Sequence, residues 1–229
     1  MWCARTAGTA GLVIILALAA CSKSAPARKL DLELIKVPGA ANLRTDTIGD
    51  GTFTDVSTFV LVDAQNTATE GAYVTLGGQL TDGSSTVLGE LKSQSLWIPA
   101  GEIRTFALVD AERVPRPKAS AARIVVHGAL VPESPPRVRV SDFRTFAEPN
   151  RTIVEGKLVN DADRLGQALV IAAFYDSHGQ LMTRPFQNIV VDPQGRMQAV
   201  DAKTPTDVVR FVGPPGSVRG TMFVGDIVY

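Results

Sequence analysis

Cysteine and histidine are nearly missing from this chain, which has two of each in 229 residues. Both cysteines, Cys3 and Cys21, stand within the first 21 positions. From Ser22 onward there is no thiol, which excludes disulfides, thiol catalysis and thiolate metal sites there. The histidines are His127, in a strand-like run, and His178, at a hairpin tip. A histidine-based metal centre gathers two or three converging ligands, and this pair does not offer them. An excess of either charge is also lacking: 23 basic side chains face 23 acidic ones. No long-range field would draw nucleic acid or an anionic membrane to such a chain. Aromatic residues make up only 6% against 45% hydrophobic, so the core has to come mostly from Val, Leu, Ile and Ala. No Gly-x-Ser-x-Gly elbow occurs, and no amphipathic helical period is found after residue 20.

What is present begins at the amino terminus. Arg5 precedes the apolar run Leu12-Val13-Ile14-Ile15-Leu16-Ala17-Leu18, and Ala19-Ala20-Cys21 follows. A basic residue, a short apolar core and small residues, in that order, describe a secretory signal too short for a comfortable membrane span. Leu18-Ala19-Ala20-Cys21 resembles the lipobox of bacterial lipoproteins. The resemblance implies that residues 1–20 are removed, that the Cys21 thiol carries a diacylglycerol, and that its new amino group is acylated. In lipoproteins sorted between two membranes, a residue other than Asp after the cysteine goes with the outer membrane; here it is Ser22. Arg5 is the only charged residue of the removed part, leaving 22 basic against 23 acidic side chains. Residues 21–29, small, polar and basic around Pro26, read as a lipidated tether.

Beyond the tether the hydrophobic period is two. Leu30, Leu32 and Leu34 alternate with Asp31, Glu33 and Ile35, which predicts a strand with one apolar face. Further strands are predicted over 58–62, 72–80, 95–99, 103–109 and 123–131, then 137–142, 152–159, 167–175, 187–191, 197–201 and 217–229. Clusters of Gly, Asp, Asn and Ser separate them, as at 46–51 and 81–85. Short strands with turn chemistry between them indicate an all-β fold of Ig-like antiparallel sandwiches. Asn66 and Asn160, Ala68 and Ala162, Asp82 and Asp176, Pro99 and Pro193, and Gly101 and Gly195 all share one offset of 94. A common offset of that size fits a duplicated sandwich domain. Pro132, Pro135 and Pro136 make residues 132–136 a stiff linker, so the expected domains are 30–131 and 137–229, held end to end.

Within the second half, Gly156-Lys157-Leu158-Val159-Asn160 leads to Ala172-Ala173-Phe174-Tyr175-Asp176, then to His178-Gly179 and Asp192-Pro193-Gln194-Gly195. This order is similar to the FxLYD-type domain of bacterial envelope lipoproteins. That family has a glycine-led strand with Val-Asn, a strand ending in Leu-Tyr-Asp, a glycine turn and then Pro-x-Gly. Ala172 stands where the family has Phe and Phe174 where it has Leu, while Leu80-Thr81-Asp82 in the first half keeps Leu and Asp but not Tyr. The family brings no catalytic residues. Asn66 and Asn160 are expected to cap strand ends, Asp176 to bond its hairpin loop, and Gly179 to supply a positive φ.

Three further features have plain structural explanations. Asp161 and Asp163 beside Asn160 form an acidic loop, as does the stretch 46–55, without the glycine-spaced ligand array that calcium uses. Arg113, Arg116 and Lys118 form the densest basic loop, stiffened by Pro115 and Pro117 and suited to an acidic partner or lipid headgroups. Trp97 and Phe106 are expected to pack between the sheets of the first domain. The functional expectation is a non-enzymatic, lipid-anchored envelope protein facing the periplasm from the outer membrane. It would need no cofactor or metal, and its site residue is Cys21. It would meet the membrane through its lipid and an envelope protein through sandwich loops or a sheet edge. The alternatives are an enzyme or ligand carrier with a site at the domain junction, and a structural spacer.

Overall fold

The computed structural model describes residues 27–48, 55–184, 186–202 and 204–229. The signal, Cys21 and most of the tether lie outside them. The strands of the first half are β1 (Arg28–Lys29), β2 (Ile35–Lys36), β3 (Asn42–Ile48), β4 (Asp55–Asn66), β5 (Ala72–Thr81), β6 (Val87–Ile98), β7 (Ile103–Val109) and β8 (Ala121–Val131). Those of the second half are β9 (Val138–Glu148), β10 (Arg151–Asn160), β11 (Gly166–Tyr175), β12 (Phe186–Val191), β13 (Met197–Ala199), β14 (Val209–Val212) and β15 (Arg219–Val228). Among the described residues the only helical element is a 3-10 turn at Leu32–Leu34, and every strand pairing is antiparallel. The fold is all-β, built as sandwiches.

Four sheets result. Sheet I runs β1-β8-β5-β6, and sheet II has β4 at its centre, with β2 and β3 on one edge and β7 on the other. Sheet III runs β14-β10-β9 and sheet IV runs β13-β12-β11-β15. Sheets I and II enclose Val60, Val62, Leu76, Leu80, Phe106 and Leu108, while III and IV enclose Val154, Leu158, Val170, Phe174, Ile189 and Phe211. Strand neighbours recur: β3-β4-β7 and β8-β5-β6 in the first half are matched by β9-β10-β14 and β15-β11-β12 in the second. Strands β5 and β11 begin and end at the offset of 94 seen in the sequence.

The two halves pack side by side rather than end to end, because apolar residues on the outer face of sheet IV find partners on the first half. Sheet IV lays its outer face along the flank of the first sandwich. Ile171 and Phe223 from that face join the core of the first half, beside Leu96 and Phe106. Ala173, Tyr175 and Leu181 close over Phe59, Leu61 and Ala107 on the outer face of sheet II. Strand β11 is consequently buried on both faces over its last residues, from Val170 to Tyr175.

Several local expectations are corrected. Leu30 to Ile35 is not a strand with an apolar face: Leu32 and Leu34 are 41% and 37% exposed, Leu30 is half-buried against the core, and Ile35 is the buried residue of the run. The Asp31 carboxylate accepts the Glu33 amide at 3.0 Å, capping a 3-10 turn that breaks the alternation. Trp97 does not lie between the sheets. Its neighbours Leu96 and Ile98 point inward, so Trp97 points outward and packs on Tyr73, ring centres 5.5 Å apart. Phe106 is fully buried as expected. The acidic stretch 46–55 is partly strand, with Asp46 in β3 and Asp55 opening β4; its residues 49–54 lie outside the described residues.

Candidate functional site

Most side chains singled out in the sequence are engaged in the fold. Asn66 donates from Nδ2 to the Glu70 and Ile98 carbonyls at 2.8 and 3.1 Å, and its Oδ1 accepts the Ala68 amide at 3.0 Å. Asn160 repeats the pattern with the Arg164 and Val191 carbonyls at 2.8 and 2.9 Å and the Ala162 amide at 3.0 Å. Both asparagines are buried and tie the end of one strand to the loop that follows and to a strand of the facing sheet.

Four aspartates build one kind of turn. In each, Oδ1 accepts the amides two and four residues on: Ser84 and Thr86 for Asp82, Glu112 and Val114 for Asp110, His178 and Gln180 for Asp176, and Gln194 and Arg196 for Asp192. The residue three places on has a positive φ in every case: Ser85 at 66°, Arg113 at 58°, Gly179 at 77° and Gly195 at 78°.

The remaining candidates do not converge. His127 is exposed on β8 and His178 is exposed at its hairpin tip, in different halves. Asp161 pairs with Arg139 at 3.0 Å, whereas Asp163 lines a separate cleft. In the basic loop, Arg113 pairs with Asp55 at 2.9 Å and Arg116 pairs with buried Asp110 at 2.8 Å and with Glu112 at 2.6 Å. The loop is therefore largely neutralised by its own acids.

Three surfaces can receive something. The first is a cleft of about 630 Å3 at the junction, between the linker residues Pro132–Pro136 and Tyr73, Arg137, Arg164 and Tyr229. The Tyr229 hydroxyl accepts the Arg137 amide at 2.8 Å, and the Arg164 guanidinium lies 5.0 Å from the Tyr229 ring centre. Burial, and then the nearby Asp226 carboxylate, push the Tyr73 hydroxyl well above the usual tyrosine value, so it stays protonated.

The second is a groove of about 500 Å3 on the outer face of sheet II, walled by Ile48, Phe59, Leu61, Val109 and Phe186, with Arg184 in its lining. Arg184 donates from Nη1 to Gln94 Oε1 at 3.1 Å and to the Thr105 carbonyl at 3.2 Å. Its Nε is sealed from solvent and has no partner among the described residues. Burial lowers this guanidinium to a pKa of about 10. Nearby, Thr105 donates to Asp63 at 2.6 Å, and Tyr175 donates to the same carboxylate at 3.5 Å. The Arg219 guanidinium stacks 3.8 Å from the Tyr175 ring centre, so this polar seam joins the halves beside the groove.

The third surface is strand β9, which among the described residues pairs only with β10 and is exposed from Asp142 to Ala147, including Phe143 and Phe146. A bulge at Asp142, φ 49°, opposite Gly156, interrupts the edge. None of Tyr73, Arg164, Arg184 or Tyr229 was legible as a site residue, because each depends on partners far away in the chain. No family model, curated protein or solved structure matches this chain.

Proposed function

We propose that the protein is a lipid-anchored lipoprotein of the bacterial envelope, held at Cys21 in the outer membrane and facing the periplasm. On this reading, residues 30–131 and 137–229 are two sandwich domains related by duplication, the second of the FxLYD type. The work done is non-catalytic binding or assembly. Leu18-Ala19-Ala20-Cys21 supports the anchor: the chain enters its first strand at Arg28, only seven residues after Cys21. The matching hydrogen bonds of Asn66 and Asn160, and of Asp82 and Asp176, support the duplication.

The observation that carries the binding reading is the exposed part of β9, where free backbone groups and two exposed phenylalanines offer an edge to an extended partner segment. The junction cleft favours a second reading, a ligand carrier, since two tyrosines and two arginines converge there. One preparation tests both. Cys21→Ser should move the protein from the membrane to the soluble fraction, and unchanged membrane retention would refute the anchor. Native mass spectrometry of the membrane-extracted wild type is expected to show no small molecule whose retention depends on Tyr229 in the junction cleft. A bound small molecule that disappears in Tyr229→Ala would establish the carrier instead.

A further inference from the structure

Arg184 stands out among the half-buried cations whose Nε is sealed from solvent. Arg104, also shut away with an unpartnered Nε, has the Glu102 carboxylate at 2.6 Å and the Phe223 ring at 4.8 Å. Arg184 has only two neutral acceptors, the Gln94 side chain and the Thr105 carbonyl, and no carboxylate among the described residues. An uncompensated buried guanidinium is costly to hold, and breaking or omitting such a pairing ranks among the largest single penalties a fold carries. The same side chain lines an open groove whose other walls are aliphatic and aromatic: Ile48, Phe59, Leu61, Val109 and Phe186. The groove's other guanidinium, Arg113, is already paired with Asp55. Among the described residues, one positive charge without a carboxylate stands beside an apolar channel, which calls for a ligand with one negative charge and a hydrocarbon body. The groove volume, about 500 Å3, lies within the ~300–1,000 Å3 typical of small-ligand clefts.

We infer that this groove binds a long-chain carboxylic acid, its carboxylate on Arg184 and its chain along Phe59, Leu61, Val109 and Phe186. The site is separate from the β9 edge and does not depend on the anchor at Cys21.

The chain from Ser22 to Tyr229, which keeps every strand described, can be titrated with dodecanoate by displacement of a dansylated undecanoate. Acetate carries the same head without a tail, and dodecyltrimethylammonium carries the same tail with the opposite charge. Dodecanoate should bind at least about tenfold more tightly than either. Equal binding of the cation, or no binding of dodecanoate, overturns the proposal.

Arg184→Met removes the charge and keeps the bulk. It should weaken dodecanoate at least about tenfold while the melting temperature holds or rises, because the unpaired charge goes with it. Unweakened binding in this variant overturns the assignment. Phe186→Ser, at the exposed mouth, checks the groove without adding a charge beside Arg184: it should weaken dodecanoate at an unchanged melting temperature, and unaltered affinity would count against the site. Asp50, in the sequence between β3 and β4, supplies the last control. Asp50→Asn should change neither stability nor affinity. A lower melting temperature together with tighter dodecanoate binding would identify Asp50 as the partner of Arg184 and remove the case for a ligand.

Discussion

Asp82, Asp176 and Asp192 titrate below the ordinary aspartate value, and Asp63 above it. The Ser84 hydroxyl, then the Thr86 amide, hold Asp82 down; the Gln180 amide does the same for Asp176. At Asp192 burial pulls upward, but the Arg196 amide and guanidinium outweigh it. Burial dominates at Asp63 and raises it despite hydrogen bonds from Thr105 and Tyr175. A carboxyl whose folded value is depressed contributes stability above the unfolded value of 3.8 and loses it as pH falls through the folded one. Asp63 has the reverse sign: its contribution is present below 3.8 and is lost as pH rises through the raised value. Melting temperatures measured from pH 7 down to pH 2 should therefore fall on the acid side, starting below about pH 4. Replacing Asp82, Asp176 and Asp192 together by Asn keeps an acceptor for each turn and should flatten that fall. Asp63→Asn should raise the melting temperature at pH 7 and leave it unaltered at pH 2. A triple variant with an undiminished acid limb would place the proton uptake elsewhere.

At the scale of the strand, pattern and burial agree closely where a strand has one apolar face, and they part where it has two. The run Ala168-Leu169-Val170-Ile171-Ala172-Ala173-Phe174-Tyr175 shows no alternation, as expected of a strand covered on both sides. Its inner residues fill the second sandwich, and Ile171 and Ala173 meet the first half. The sequence marked the strand, but the partner of its outer face lies in the other half, where no local pattern points. Strands β3 and β14 escaped notice for a different reason. Asn42–Ile48 buries no residue fully and runs into turn-like chemistry at Asp46, and Val209–Val212 is only four residues long and leaves Val212 exposed beside Arg210, so neither shows a full alternation. The alternation at Leu30–Ile35 misled because the Asp31 cap turns the chain: Leu30 packs on the core, Leu32 and Leu34 of the same face stand exposed, and Ile35 of the opposite face is buried. Gly225 marks how closely the halves approach. It is the bulged residue of β15, and a Cβ there would stand 2.6 Å from Ile171 Cδ1 and 3.0 Å from Leu96 Cδ2. Gly225→Val should destabilise the protein by about 2 kcal/mol through overpacking, measured by urea unfolding. A neutral result would mean that β15 and β6 can separate freely.

For the whole molecule, shared packing matters more than the linker. Ile171 and Phe223 sit in the first half's core, and Arg184 from the second half reaches the Thr105 carbonyl on the edge of β7. Either half alone would uncover apolar surface and unsatisfied edge groups. Calorimetry of the chain from Ser22 onward should show one cooperative transition; two well-separated transitions would show independent halves. The attachment of β1 has a mechanical consequence. It is held by two residue pairs, Arg28 with Val131 and Lys29 with Leu130, beside an ion pair from Arg28 to Glu70. If the chain is fixed at Cys21, tension enters at Arg28, the outermost pair, and opens β1 one pair at a time like a zip. Beyond these pairs the Leu30 amide donates to the Ala129 carbonyl at 2.9 Å, and after it the Leu34 carbonyl accepts both the amide and the hydroxyl of Thr67 at 2.9 and 2.8 Å. Release of residues 28–33 would add up to roughly 20 Å of extended chain at ~3.3 Å per residue. Under that anchorage the two-residue strand would act as stored slack, a strain relief that yields before the rest of either sandwich is loaded.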